Sequence, residues 1–463
     1  MADKQVDSRR KERSAATGSS VAMSHNFRPY EQDQMYLMPP SVQDWVEEGS
    51  LARFVSDVVD KLASVGRLAG FYAAYREDGW GSAAYHPVMM VKVLLYGFSV
   101  GVVSSRKVER ALRQDVGFRY LAANQVPDYR TVNSFRTTHR EALLGLFTEV
   151  LELCREAGLV KLGRVALDGT KVQGNSALEQ KMTREQLEKA VQEMLDVSEA
   201  ADRAEDAEHG PDVRGNELPK ELLKAEKRKR KLEAALARLD ERRAKLQETQ
   251  RELIAEREKR EGIHRGRKPK DPEKVDLPAE TTVNLTDPES QTLSARRGWV
   301  QGYNAQAMVD CESQVIVAQQ VTQDHNDLHQ LVPMLERCEE QAGGRPETLI
   351  ADAGYWSKEN ADAGGATSLL IALPARAKNA TCEPSEQRVE MEKRLEEKEN
   401  KEAYAKRKST VEPVFGQIRT RGLQAFGMRG KVKAALEWSL WCTTHNLLKL
   451  WRALNRRVPA MAA

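Results

Sequence analysis

The sequence predicts an α/β domain that is preceded by an all-α region and interrupted by a long charged helical insertion. Three observations predict this fold class. Apolar residues recur at helical spacing through residues 25–160, short apolar runs typical of buried strands begin after residue 160, and leucines recur every seven residues within the highly charged residues 178–282. At 463 residues, the chain is long enough for two or three domains.

The N-terminal region divides into two parts. Residues 1–24 are charged, rich in serine and without periodicity, which predicts disorder. Residues 25–160 predict a helical domain, and Pro87 suits the first turn of one of its helices. The apolar spacing places these helices at 41–48, 53–62, 87–98, 105–113, 131–140 and 141–156.

Within this region, residues 105–136 have the pattern of a helix-turn-helix. Short helical segments are followed by a break at 124–128 and by a polar helix that begins near Asp128. Val132 and Phe135 would face the core of such a unit. The polar residues that could contact DNA are Arg130, Asn133, Ser134 and Arg136. An ordinary helical bundle with a solvated polar face explains the same pattern.

The charged insertion comprises residues 178–282. Leu232, Leu239, Leu246 and Leu253 recur every seven residues, but the companion core positions include Arg243, Gln250 and Arg257. A coiled coil requires apolar residues at both positions. We therefore expect a long helical hairpin that folds back across 210–219, with a dimer zipper as the alternative. The basic residues 265–269 are then predicted to be a linker.

The α/β domain is predicted to comprise residues 161–177 and 283–455. Strand character at 303–310 and 314–321 indicates a hairpin. Helices are predicted at 326–341 and 358–363, and a strand at 368–373. His325 and His329 are four residues apart, as in a helical zinc pair, but no third ligand has suitable spacing. Residues 324–327 are instead typical of a helix N-terminus.

Three carboxylates stand where this fold could bring them together. Asp168 follows the apolar run 165–167, Asp352 follows the apolar run 349–351, and both precede turn residues. Glu412 lies in a basic stretch with helical spacing. Carboxylate oxygens are the ligands that Mg²⁺ and Mn²⁺ prefer, and two such ions can clamp the attacking and leaving oxygens of a phosphoryl transfer.

The charge distribution and the cysteines indicate the kind of binding partner and the cellular compartment. The net charge is only +3, but residues 404–457 contain twelve basic residues and two acids, which favours a polyanionic partner such as DNA. Five scattered cysteines without a C-x-x-C pair predict a reducing cytosol. The N-terminus has no signal-peptide core, and the most apolar stretch, 88–103, contains Lys92. We therefore expect a core helix there and no membrane span.

Around its last acid the chain resembles the DDE transposases of bacterial insertion sequences. That family has a Tyr, two residues, Arg, three residues, Glu, six residues, Lys pattern. Here Tyr404 and Arg407 have the expected spacing, four residues separate Arg407 from Glu412, and Arg419 stands in place of the Lys. The extra residue leaves open whether Arg407 or Lys408 takes the role of the family Arg. The resemblance extends from about Phe27 to about Trp451.

The resemblance implies an RNase H-like catalytic domain, with Asp168 and Asp352 on adjacent strands and Glu412 on a helix. These three acids would be the catalytic residues and the ligands of two Mg²⁺ (or Mn²⁺) ions. The helical domain would bind DNA through residues such as Arg130, Asn133 and Arg136. The residues that would hold DNA phosphates near the acids are Tyr404, Arg407 or Lys408, and Arg419.

A member of this family binds the terminal inverted repeats of its element, cleaves a strand and transfers the 3′-hydroxyl to target DNA. Its partners would be double-stranded DNA at the transposon ends and at the target, and a second copy of the chain in a homodimer or larger assembly. Its location would be the bacterial cytoplasm, at the nucleoid. The alternatives are a catalytically silent DNA-binding protein derived from a transposase and a related RNase H-like nuclease without strand transfer.

Overall fold

The computed structural model of the chain describes residues 41–75, 83–194, 196, 220–259, 269–295, 298–375 and 385–457. The predicted disordered segment 1–24, the predicted turn at 210–219 and most of the basic linker 265–269 lie outside these residues. The described residues 41–44 are assigned to a first unit, and a short 3-10 helix at Val42–Trp45 begins in it. The second unit begins at Trp45 and contains every other helix and strand that the structure describes.

The N-terminal region is helical, as the apolar spacing predicted. Its six helices among the described residues are α1 (Leu51–Ser64), α2 (Pro87–Val100), α3 (Ser105–Gln114), α4 (Val116–Leu121), α5 (Tyr129–Thr138) and α6 (Arg140–Glu156). Pro87 begins α2 at the position where its missing N–H costs least. Gly101 ends α2 in the left-handed conformation, and its α-carbon lies against the carbonyl oxygen of Arg421. A side chain at Gly101 would collide with that backbone.

A mixed sheet follows. Its strands are β1 (Arg164–Gln173), β4 (Gln291–Ala295), β5 (Gly298–Asp310), β6 (Ile316–Thr322), β7 (Thr348–Ala351) and β8 (Ser368–Ile371), and β2 (Lys181–Thr183) and β3 (Thr282–Asn284) form a separate pair. The order is β4-β5-β1-β7-β8, with β6 also paired to β5. β1 is antiparallel to β5 and parallel to β7. The sequence did not predict β2, β3 and β4, which are short.

The remaining helices follow β1 in the sequence. They are α7 (residues 184–194), α8 (Lys220–Lys259), α9 (Leu331–Ala342), α10 (Lys358–Asp362), α11 (Glu386–Glu396), α12 (Lys398–Ala405), α13 (Arg407–Arg421) and α14 (Lys431–Arg457). The prediction for α9 was wrong at its start. It begins at Leu331 rather than at 326, because Asp324 accepts a hydrogen bond from Gln330 instead of capping the helix.

One hydrophobic core runs through the helical region and the sheet. Phe98 of α2, for example, packs edge-on against Trp441 of α14, with ring centroids 5.2 Å apart. The helical region therefore supports the sheet directly. Within the insertion, Leu232 and Leu239 are buried against Leu187 and Val283 of the same chain, whereas Leu246 and Leu253 are exposed.

Across the described part of the chain, no single helix combines the length and the apolar character of a membrane span. The pair α2 and α3, bent by 99° at their junction, meets the criterion jointly on length and composition. Most side chains of α2 are buried in the protein core.

Candidate active site

The parallel pairing of β1 and β7 brings two aspartates side by side. Val165 pairs with Leu349 and Ala166 with Ile350, so the same register places Asp168 next to Asp352. Neighbouring strands lie about 4.8 Å apart. β7 stops at Ala351, as predicted, but β1 continues past Asp168 to Gln173. Asp168 therefore lies within its strand, beside the point at which the neighbouring strand ends.

Each aspartate is fixed by a backbone hydrogen bond just after it. Asp168 Oδ1 accepts from Gly169 N at 2.8 Å, and Asp352 Oδ1 accepts from Gly354 N at 2.9 Å. Asp352 thereby caps the single turn of 3-10 helix that begins at Ala353. In both side chains this hydrogen bond engages Oδ1 and leaves Oδ2 for a further partner.

Asp168 is mostly buried and its protonation is sensitive to its surroundings. Burial raises the pKa of Asp168 to about 6, the neighbouring Arg407 opposes that rise, and the negative charge of Asp352 adds to it. A pKa near 6 leaves the carboxylate ionised at neutral pH. A positive charge bound beside it is therefore strongly favoured.

In this structure the positive charge comes from Arg407. Its Nη1 donates to Asp168 Oδ2 at 3.0 Å, and its side chain is 8% exposed. Burial alone would lower the pKa of Arg407, but Asp168, Tyr404 and Asp352 together raise it. That Arg407 holds a DNA phosphate stays a prediction. The guanidinium is bound to the aspartate, while the adjacent Lys408 is exposed.

Tyr404 lies beside Arg407. The Tyr404 side chain is half-buried and close enough to Arg407 for the two groups to influence each other. Burial raises the pKa of Tyr404, and the nearby charge of Arg407 partly offsets this effect. The tyrosine therefore belongs to the cluster that surrounds Asp168, rather than to an open surface.

Helix α13 crosses β1 and carries Glu412 and Arg419. Arg419 Nη2 donates to Thr170 Oγ1 at 2.5 Å, and Thr170 shares a face of β1 with Asp168. Glu412 is exposed and lies seven residues before Arg419, on nearly the same side of the helix. Pro413 lacks the N–H that would bond Ser409 O, and Gln314 Nε2 donates to that carbonyl instead, at 3.1 Å.

The three acids do not form a closed cluster here. Over the residues that the structure describes, no three His, Cys, Asp or Glu side chains lie close enough together to hold a metal ion. Asp168 and Asp352 nevertheless fit as ligands of a hard divalent cation, because both present carboxylate oxygens. Their pairing with a buried guanidinium shows that the site attracts positive charge.

A third aspartate, Asp327, lies beside the residue that follows Asp168. The sequence predicted this aspartate at the start of a helix. Asp327 Oδ1 accepts from Asn304 Nδ2 and Gln306 Nε2, both at 2.6 Å, and from Lys171 Nζ at 3.1 Å. It lies next to Gly169. The only signal in the sequence was an acid in the loop after a strand, a pattern shared with Asp310 and Asp324. Asp310 instead accepts a hydrogen bond from Ser313 N in the β5–β6 turn.

The predicted helix-turn-helix corresponds to α3, α4 and α5. Asp128 caps α5 through Thr131 N at 2.7 Å, and Val132 and Phe135 are buried as predicted. The exposed polar residues of α5 include Arg130, Asn133 and Ser134.

The expectation that Arg136 contacts DNA was wrong, because its side chain is buried. Arg136 Nη2 donates to Val103 O at 2.5 Å, and the guanidinium lies over the ring of Phe98. Burial lowers the pKa of Arg136 to about 10, and Glu437 of α14 acts in the opposite direction. Arg136 therefore ties α5 to the core.

Two family models match the chain. One, described as Transposase domain (DUF772), matches residues 40–138, and the other, described as Transposase DDE domain, matches residues 279–447. Together they cover more than half of the sequence and include α5, Asp352 and Glu412, whereas Asp168 lies outside both. Comparisons with curated proteins and with solved structures each found no significant match.

Proposed function

Because the chain belongs to the DDE transposases of bacterial insertion sequences, we propose that it cleaves DNA at the ends of its element and transfers the resulting 3′-hydroxyl to target DNA. The observation that carries this proposal is the in-register placement of Asp168 beside Asp352, with the basic helix α13 across the same face of β1. We propose that the sheet with its flanking helices is RNase H-like.

Asp168 and Asp352 would hold the divalent ions, and Glu412 would join them once DNA is bound. Two Mg²⁺ or Mn²⁺ ions would supply an activated oxygen nucleophile and neutralise charge on the phosphate. The backbone hydrogen bonds from Gly169 and Gly354 keep both aspartates oriented for this task. No group on the protein need form a covalent intermediate.

Cations on α13 would hold the DNA backbone beside the acids. Lys408 and Arg419 are both exposed, and Arg419 is anchored at Thr170, so its remaining donors lie near the carboxylates. Arg407 is bound to Asp168 and would have to exchange that partner before it could contact a phosphate. Phosphate contacts of this kind position DNA and set salt-dependent affinity.

Sequence recognition would lie on α5. Arg130, Asn133 and Ser134 are exposed on a capped helix whose opposite face is buried, which is the arrangement of a recognition helix. Arg130 and Arg106 both lie over the ring of Tyr129, at 5.7 and 5.0 Å from its centroid. We propose that this surface binds the inverted repeats, and that two copies of the chain bring the two ends together.

The direct test is incubation with DNA that carries the ends of the element, in the presence of Mg²⁺, followed by mapping of the cut strands. Asp168→Asn, Asp352→Asn and Glu412→Gln should each abolish cleavage and leave end binding intact, since each removes a charge but keeps the size. Glu402→Gln, at an exposed position of α12, is the matched control. Normal cleavage by one of the three variants would remove that residue from the site. Cleavage without joining would support the related nuclease instead.

A further inference from the structure

Asp327 stands at the centre of a polar network that links the two segments carrying the catalytic aspartates. Lys171 belongs to β1, while Asn304 and Gln306 belong to β5. All three donate to the Asp327 carboxylate, whose side chain is 21% exposed. One carboxylate thus holds side chains from two strands at once.

The same network reaches the turn after β7. The hydroxyl of the buried Tyr355 donates to Gln306 Oε1. A β-carbon placed on Gly354 would lie 3.0 Å from Asp352 Oδ1 and 3.8 Å from Asp327 Oδ2, so both carboxylates flank this glycine. Asp327 therefore contacts β1 and β5 through hydrogen bonds and lies against the turn that holds Asp352.

The space beside Gly169 is filled by Asp327 and its hydrogen-bond donors. A β-carbon on Gly169 would lie 2.8 Å from Asp327 Oδ1 and 3.0 Å from Asn304 Oδ1, and it would also collide with Gln306 Nε2. The backbone of Gly169 does not need glycine for its torsion angles, because its φ is not positive. Glycine follows Asp168 because the carboxylate of Asp327 and its donors fill the space of a side chain.

Asp327 acts from the opposite face of the sheet. Successive residues of a strand point to opposite faces. Asp168 faces α13 and Arg407, whereas Gly169 and Lys171 face the side on which Asp327 lies. Asp327 is thus placed to fix the backbone on which Asp168 stands, rather than to share a metal ion with it.

We propose that Asp327 is a positioning residue of the active site, which holds β1 and the turn at Gly354 in place and so sets the separation of Asp168 and Asp352. This inference rests on the proposed function, because it assigns Asp327 a task in binding divalent ions. Partners that orient metal ligands without touching the metal are typically worth about 10- to 100-fold in metal affinity.

The test is Mn²⁺ binding by the full chain, measured by electron paramagnetic resonance without DNA and at a temperature where every variant is folded. Asp327→Asn keeps the size of the side chain but loses the charge that Lys171 needs. We expect it to weaken Mn²⁺ binding by about 10-fold or more, with end-DNA affinity unchanged. Gly169→Ala should also weaken Mn²⁺ binding, because the added methyl group displaces the Asp327 carboxylate. Asp324→Asn is the matched control, since Asp324 lies in the same loop but bonds Gln330.

Three outcomes of this experiment would contradict the inference. Mn²⁺ affinity equal to that of the unaltered protein in Asp327→Asn and Gly169→Ala would overturn it. Loss of Mn²⁺ binding as complete as in Asp168→Asn would overturn it too, by making Asp327 a ligand. If Asp168→Asn itself binds Mn²⁺ like the unaltered protein, the proposed function fails, and the role of Asp327 fails with it.

Discussion

Replacement of Arg407 by methionine removes the cation that neutralises the aspartate pair. The unbranched methionine side chain fills much of the same space, so the main change is the loss of charge. Removal of one partner from a fully buried ion pair costs about 3–5 kcal/mol. Asp168 is 19% exposed, and we therefore expect a smaller loss, about 2–3 kcal/mol in the free energy of unfolding at pH 8.

The loss should depend on pH in a defined direction. Burial already raises the pKa of Asp168 to about 6, and Arg407 holds it from rising further. Without Arg407 the folded-state pKa lies higher, so stability is lost as pH rises through that value. At pH 5 the carboxyl group is largely protonated with or without Arg407, and the difference in stability should be small.

Mn²⁺ should restore the stability that the Arg407→Met substitution removes. A ligand present at 100 times its Kd stabilises a folded protein by about 2.7 kcal/mol. In the unaltered protein Arg407 competes for Asp168, so the gain from a given Mn²⁺ concentration should be smaller than in Arg407→Met. Urea unfolding at pH 5 and pH 8, with and without Mn²⁺, measures the free energy of unfolding under each of these four conditions.

Lys408→Met is the matched control, because Lys408 is the next residue and is exposed. Its effect should stay within about 0.5 kcal/mol at either pH. Two results would refute the reasoning: an Arg407→Met loss that is equal at pH 5 and pH 8, or a Mn²⁺ gain no larger than that of the unaltered protein.

Four further outcomes are expected. Mn²⁺ affinity of the unaltered protein should fall as pH drops below about 6, because protonation of Asp168 competes with the metal; a flat titration between pH 7 and pH 5 would contradict this. Arg130→Ala should reduce discrimination between end DNA and random DNA in binding assays, since Arg130 is exposed on α5. Arg136→Met should instead lower the free energy of unfolding by about 3 kcal/mol and leave discrimination unchanged, because Arg136 is buried with Glu437. Arg419→Ala should slow cleavage and weaken the salt dependence of binding, with sequence preference retained; a loss of preference would reverse the assignment of recognition to α5.

The neighbouring aspartates Asp168 and Asp352 could be singled out from sequence because their signal is local. An apolar run that stops at an acid and a turn marks the end of a buried strand, and at Asp352 the chain behaves in this way. At Asp168 the same signal placed the end of the strand at the wrong residue. β1 continues because β5 pairs with it as far as Gln173, and that partner could not be identified from the sequence of β1 alone.

The buried cations could not be predicted in the same way. Arg136 and Arg407 lie in polar helical stretches, where a solvated face is the ordinary expectation. Each is buried because an element distant in sequence packs on it. Arg136 donates to Val103 O and lies within the electrostatic influence of Glu437, and Arg407 donates to Asp168, 239 residues away. Local periodicity carries no information about such partners.

Arg407 and Glu412 lie on the same helix, α13, so a movement of this helix would change the positions of both. The two residues are five positions apart, which places them about 140° apart around the helix axis. Arg407 is turned toward Asp168, whereas Glu412 is exposed on the side of the helix that also carries Arg419. Under the proposed function, a rotation of α13 that brings Glu412 closer to the aspartates would change the contact between Arg407 and Asp168. If the proposed function holds, Arg407→Met should therefore alter metal binding and the placement of Glu412 together.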